Sequence, residues 1–244
     1  MELTNSYSIY PVSDHAITLD FGQEMDAQTN QRIMLLFQLL QEKNIVGIKD
    51  IIPAYSSICL VYDCKLVLKI AGGISAYAFL KGLLDALVIE LSNKISSNTG
   101  RNLKLPVCYD PILAPDLMPL IETLQLSIEA FIALHTNTSY RVYMIGFMPG
   151  FAYMGTVNKK IISPRKQNPR TIVPAGSVGI AGAQTGVYPF ASPGGWQLIG
   201  RTPIQIFDAN KEQPSFFMPG DTVCFEPIAI EQFYEMQKQP SKWE

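Results

Sequence analysis

The sequence predicts an α+β domain at the N-terminus followed by a mainly β, barrel-like domain. Three observations lead there. Strand-like and helix-like patterns alternate through residues 1–95, a polar turn-prone stretch follows at 96–102, and beyond Tyr140 short β-rich pieces are divided by glycine and proline.

Residues 7–21 are β-branched and aromatic and break at Ser13-Asp14, which predicts two short strands and a turn. The stretch 26–43 places Ile33, Leu36, Phe37 and Leu40 on one helical face. Residues 45–62 are rich in Ile and Val and are split by Pro53, predicting two strands joined by a bend. After Gly72-Gly73, Phe79, Leu80, Leu83, Leu84, Leu87, Val88 and Leu91 mark a second amphipathic helix over 75–91. The order ββαββα suits helices on one face of an antiparallel sheet.

The stretch 96–102 (SSNTGRN) is the predicted linker, with the second domain at 103–244. Residues 103–109 read as a strand, and 116–124 and 127–135 as short helices, the second opening at Ser127. Strands are then expected at 141–147, 178–181, 196–199, 204–207 and 222–225, which argues for a closed or nearly closed barrel.

Composition narrows the classes of function. Hydrophobic residues make up 48% and charged residues 16% of the 244, so a globular chain with a sizeable core is expected. A net charge of −2 gives no global argument for nucleic acid or an anionic membrane as partner. No apolar run approaches the roughly 18 residues of a membrane span, and 1–10 lack the pattern of a signal peptide. Cys59, Cys64, Cys108 and Cys224 show no C-x-x-C spacing; they read as reduced thiols of a cytoplasmic protein, with a Cys59–Cys64 disulfide as the alternative. Two distant histidines and no cysteine cluster predict no metal site.

Ten of the 17 glycines lie between Gly146 and Gly200. Sharp barrel corners account for part of that density. Charge is the second feature of the interval. No acid occurs between Glu129 and Asp208, whereas Arg141, Lys159, Lys160, Arg165, Lys166, Arg170 and Arg201 do. Stiff glycine-rich loops with arginines and no competing carboxylate suit a small anion. Arg165, Arg170 and Arg201 are the leading ligands because the guanidinium fork binds carboxylate or phosphate bidentately. Structural hydrogen bonding is an equal reading for Arg165 and Arg170, and a solvated loop tip is the plain one for Lys159-Lys160. Gln184-Thr185, flanked by Gly182 and Gly186, is a candidate polar contact to the ligand. Phe151, Tyr153, Tyr188 and Trp196 are expected as pocket walls or as barrel core. His135 is the candidate general base, with a structural role at a helix end as the alternative. Ser177 and Ser192 lack the G-x-S-x-G elbow of a nucleophile.

The same interval carries a resemblance. It holds GFMPGFAYMG from Gly146 to Gly155, Ser163-Pro164-Arg165-Lys166, Pro169-Arg170 and Val173-Pro174-Ala175-Gly176-Ser177-Val178. QTGVYP follows from Gln184, SPGGWQLIGRTP from Ser192, and FMPGDTV from Phe217. Several long blocks in order make the chain resemble the family of the 5-oxoprolinase B subunit and KipI, also called allophanate hydrolase subunit 1. The likeness covers most of the chain from about Leu103 to Pro227, and more loosely the N-terminal domain. It implies a cyclophilin-like β-barrel for the second domain and a small α+β first domain. It also implies a direct partner, the 5-oxoprolinase C subunit, and a separate A subunit, which together open 5-oxo-L-proline to glutamate at the expense of ATP. An acid-free interval cannot supply Mg²⁺ ligands, so any such site needs acids from elsewhere in this chain or from a partner, and ATP is expected to be shared with those partners. The other implied role is a KipI-like inhibitor docked on a sporulation histidine kinase. The chain departs from the family at Asp110-Pro111-Ile112-Leu113-Ala114-Pro115, where glycines are usual, and at Ser163 and Lys166, which replace the commoner Thr and Arg.

Overall fold

The computed structural model describes residues 6–23, 25–92 and 100–238. The chain divides into two compact units, Met1–Asn98 and Thr99–Glu244. Residues 96–99 of the predicted linker lie outside the described residues.

The first unit is one antiparallel sheet with helices. Strands β1 (Ser8–Ser13) and β2 (Ala16–Asp20) pair as a hairpin across Ser13-Asp14. Helix α1 (Ala27–Lys43) follows, then β3 (Ile48–Pro53) and β4 (Ser57–Tyr62), with Pro53 closing β3 as expected. Sheet order is β1-β2-β4-β3. Alternation along β2 and β4 turns Ile17, Leu19, Ile58, Leu60 and Tyr62 to the interior. Helix α1 starts because the Asp26 carboxylate accepts the Thr29 N–H at 2.7 Å, and stops where Asn44 turns left-handed at φ 40°. A seven-residue helix, α2 (Cys64–Ile70), is new; Asp63 caps it through the N–H groups of Lys65 and Leu66. Helix α3 (Ala76–Ser92) completes the core with Leu80, Leu84 and Leu87.

The second unit opens with β5 (Asn102–Cys108), α4 (Leu117–Leu124) and α5 (Ile128–Thr136). Ser127 caps α5 through the Ala130 N–H at 3.1 Å. Next come β6 (Tyr140–Ile145), β7 (Ala152–Gly155), β8 (Arg170–Val173), β9 (Ser177–Ala181), β10 (Gln184–Val187), β11 (Ser192–Gly194), β12 (Gln197–Arg201), β13 (Thr222–Ile228) and α6 (Ile230–Lys238). Seven strands close a barrel in the order β10-β7-β6-β13-β5-β12-β9, with β5 and β13 parallel. Strands β8 and β11 form a separate two-stranded ribbon.

Residues 204–207, expected as a strand, form no ladder. Ile204 and Ile206 are buried, Phe207 makes a single bridge to Ser215, and the Ile206 carbonyl accepts the Phe216 N–H at 2.9 Å. The alternation there reflects burial of a looped segment. The glycine-free 110–115 turn is closed by its own acid: the Asp110 carboxylate accepts the Ile112 N–H at 2.9 Å, and its carbonyl accepts those of Leu113 and Ala114.

Two apolar layers flank the barrel wall. Inward residues such as Val142, Met154, Val178, Ile180, Val187 and Ile199 join the main core. Phe151, Val173, Ala181, Tyr188, Trp196 and Leu198 form a second, outer cluster.

Candidate functional site

The outer cluster begins with missing side chains. On β10, Thr185 and Val187 turn inward, leaving Gln184 and Gly186 on the outer face. Gly186 stands opposite Tyr153 of β7 and Gly179 of β9. A Cβ on Gly186 would lie 3.1 Å from Phe151 Cζ and 3.2 Å from Trp196 Cζ3, and one on Gly179 would lie 3.0 Å from Trp196 Cβ. These glycines let aromatic rings lie against the strand backbone. The four aromatic residues singled out in the sequence do converge here. Phe151 packs edge-on against Tyr153, Tyr188 and Trp196 at centroid distances of 4.9, 5.3 and 5.4 Å. The Tyr188 phenol fills the space a Cβ of Gly194 would need. Burial pushes the Tyr188 hydroxyl up; the Trp196 N–H bond and the nearby Arg165 and Arg170 charges oppose that shift.

Cations gather beside these rings. The Arg165 guanidinium lies over Trp196, 6.0 Å from the ring centroid. The Lys166 N–H bonds the Gly195 carbonyl at 2.7 Å, and Gln197 Nε2 holds the Pro164 carbonyl at 3.0 Å, so the 164–166 turn is pinned to the start of β12. The acid-free interval imports its counter-charge: Asp116, outside it, takes Lys166 Nζ at 2.8 Å and Arg170 Nη2 at 2.5 Å on Oδ1. Its Oδ2 accepts the Leu198 N–H at 2.7 Å. Burial works to raise the Asp116 carboxyl, but the Arg170, Lys166 and Leu198 bonds outweigh it and hold the group below its ordinary value. Asp116 occupies the N-cap position of α4 yet makes no side-chain cap bond. Sequence reasoning missed it because an acid after Pro115 at a helix start reads as a cap; no local signal separates the two uses. Two buried atoms here find no hydrogen-bond partner among the described residues: Arg170 Nη1 and Ser192 Oγ.

The other predicted residues stand elsewhere. Thr185 and His135 lie on the inner side of the wall, both fully buried. The Thr185 hydroxyl donates to the Gly179 carbonyl at 3.0 Å and therefore accepts from His135 Nε2–H at 3.1 Å, leaving Nδ1 to accept the Tyr109 hydroxyl at 2.7 Å. The ring stacks on Phe225 at 4.6 Å. Burial pushes the His135 imidazole down to about 3 from 6.5, so it is neutral. Gln184 sits on the outer face of β10, two residues from Gly186. Arg201 closes the far end of β12 from Gln197; its Nε donates to the Ala175 carbonyl at 2.8 Å and its guanidinium lies over Phe233 of α6. The three arginines do not converge: Arg165 and Arg170 share one locality and Arg201 has its own. A cavity of about 590 Å³ opens at another place on this unit, lined by Arg101, Leu103, Gln205, Lys211 and Phe216. Its Arg101 is bound to the buried Asp221 through Nε and Nη2, at 3.2 and 2.5 Å, and so holds the chain together there.

The family model described as the carboxyltransferase domain, subdomains C and D, matches residues 7–217. The chain is 39% identical over 239 residues to the 5-oxoprolinase B subunit of Bacillus subtilis, spanning 97% of this chain and 99% of that one. It is 37% identical over 225 residues to the protein of that name from Haemophilus influenzae, spanning 92% and 99%. Among solved structures, TTHA0988 superposes with a TM-score of 0.75 at 34% identity over 88% of this chain; the match spans 40% of that longer polypeptide. The chain belongs to the carboxyltransferase subdomain C and D family and, within it, to the family of the 5-oxoprolinase B subunit.

Proposed function

We propose that the chain is the B subunit of an ATP-dependent 5-oxoprolinase, a cytoplasmic assembly with its C and A subunits that converts 5-oxo-L-proline to L-glutamate. The observation that carries this is the end-to-end match to proteins of that name at 39% and 37% identity. The chemistry of the outer cluster supports it. 5-Oxoproline has a flat lactam ring and a carboxylate. Arg165, Lys166 and Arg170 with one opposing acid leave the cluster net cationic, and the buried rings of Trp196, Tyr188 and Phe151 make its base apolar. In this reading the chain binds and orients the acid, while His135, neutral, braces β10 from inside through Thr185.

ATP, which the family resemblance implies for the assembly, does not fit this cluster. A nucleoside triphosphate with its divalent cation needs free carboxylates, and the cluster's acid, Asp116, is engaged by Lys166, Arg170 and the Leu198 N–H. In this reading the nucleotide is held outside this cluster, elsewhere in the assembly.

Reconstitution tests the proposal. Glutamate formation from 5-oxoproline is expected only when this chain, its partners and ATP are combined, and the Arg170→Ala complex should lose it while still assembling. Inactivity of the complete wild-type assembly, or an active assembly that does not need this chain, refutes the role.

A further inference from the structure

Two buried, unpartnered groups in one small region call for an explanation. Nearly all buried polar atoms in folded proteins are hydrogen-bonded, and leaving one unsatisfied is destabilising. Arg170 Nη1 and Ser192 Oγ both break this rule among the described residues. They sit on paired strands: Arg170 of β8 stands opposite Gly194 of β11, and Ser192 is two residues from that glycine. Over Gly194 lies the Tyr188 phenol, within electrostatic reach of Arg165 and Arg170. Ser192 precedes Pro193, which confines its backbone to extended conformations, and Arg170 is anchored by its other nitrogen, Nη2, to Asp116. Arg170 Nη1 is therefore held in place with a hydrogen to give, and the Ser192 hydroxyl, free to rotate on a restricted backbone, has another.

We infer that Arg170 Nη1 and Ser192 Oγ form the seat for a single carboxylate group of a small flat ligand, walled by Tyr188 and Trp196. Charge selects the class. Lys166 Nζ and Arg170 Nη2 already serve Asp116, so what remains is one guanidinium edge and one hydroxyl, matched to the two oxygens of a monoanion. A dianionic phosphate would stand close to the Asp116 charge with too few donors for its oxygens. A planar ring suits the flat faces of Tyr188 and Trp196, which are 1% and 5% exposed and must part to admit it. Taking the carboxylate to be that of 5-oxoproline rests on the functional reading above; the seat itself does not.

The test uses the full chain. Trp196 and Trp243 are its two tryptophans, so in a Trp243→Phe background the fluorescence reports on Trp196. Three probes are titrated: 5-oxo-L-proline, 2-pyrrolidinone (the same ring without the carboxylate) and inorganic phosphate. A saturable change is expected with 5-oxoproline alone. Ser192→Ala should weaken it about tenfold, and Arg170→Lys, which keeps a cation for Asp116 but loses the second arm, by more. Unfolding midpoints establish that each variant is folded; Ser192→Ala carries the test if Arg170→Lys is not. Equal response to pyrrolidinone, preference for phosphate, no saturable response to any probe, or undiminished binding by folded Ser192→Ala would each overturn the inference; the last leaves the two donors to water. Failure of the functional reading looks different: the seat binds 5-oxoproline, but the reconstituted assembly forms no glutamate.

Discussion

Replacing Asp116 by Asn removes one charge and little volume, and the structure says what that should do. Asp116 Oδ1 receives Lys166 Nζ at 2.8 Å and Arg170 Nη2 at 2.5 Å, while Oδ2 receives the Leu198 N–H at 2.7 Å. Asn can still accept one of these bonds through its single oxygen, and its NH₂ faces donors. Removing one partner of a buried ion pair costs about 3–5 kcal/mol because the other charge is stranded. The stranded groups here are not fully buried: the side chains of Lys166 and Arg170 are 34% and 25% exposed and can recover water. About half of that cost, roughly 2 kcal/mol, is the expected loss. In urea it corresponds to a fall in midpoint of about 1 M, followed through Trp196 so that the second unit is the one observed. Adding Lys166→Met should return part of the loss, because it deletes a stranded cation; a coupling of about 1 kcal/mol is expected from the cycle. A midpoint within about 0.2 M of wild type, or strict additivity of the two changes, would refute Asp116 as the clamp of this site. The pH dependence has the same sign. A carboxyl held below its ordinary 3.8 adds stability that is present above that value and lost as pH falls beneath it.

Two further outcomes follow from the packing. The His135 imidazole, pushed down to about 3 from 6.5 by burial, takes up a proton in the unfolded chain before it does in the folded one. Stability of the second unit should hold above pH 6.5 and decline by about 1.4 kcal/mol per unit as pH falls toward 3. Urea midpoints between pH 6.5 and 5, above the range where the lowered carboxyls titrate, check this. The same decline in His135→Gln would show that another group is responsible. Gly186→Ala should push against the Ala152 carbonyl, Phe151 and Trp196, destabilising by about 1–3 kcal/mol and shifting Trp196 emission toward the red. Unchanged stability and emission would mean the rings do not need that space.

Much of the fold was legible because its signals are local. Alternation in 57–62 and the apolar stripe of α1 are properties of neighbouring residues, and both elements formed where the pattern stood. Helix α2 escaped notice because seven residues hold too little periodicity to register. Strands β7 and β10 were missed because Gly155 and Gly186 weaken strand propensity, and aromatic rings outside the wall offset the missing side chains. The alternation at 204–207 misled for the opposite reason: it tracks burial but has no partner strand.

The candidate site divides along the same line. Residue types alone determined that this protein carries a glycine-rich, acid-free, cationic interval studded with aromatics, and a small anion was the expectation drawn from it. Only the folded chain decided which cations meet. It set Arg165 and Arg170 beside Trp196, sent Arg201 to the other end of β12, put His135 inside the wall, and brought Asp116 from 50 residues before Lys166 to neutralise part of the charge. Ion pairing and desolvation depend on distance through space, and a linear sequence holds that distance only where strands, turns and helices are too short to bend away from it.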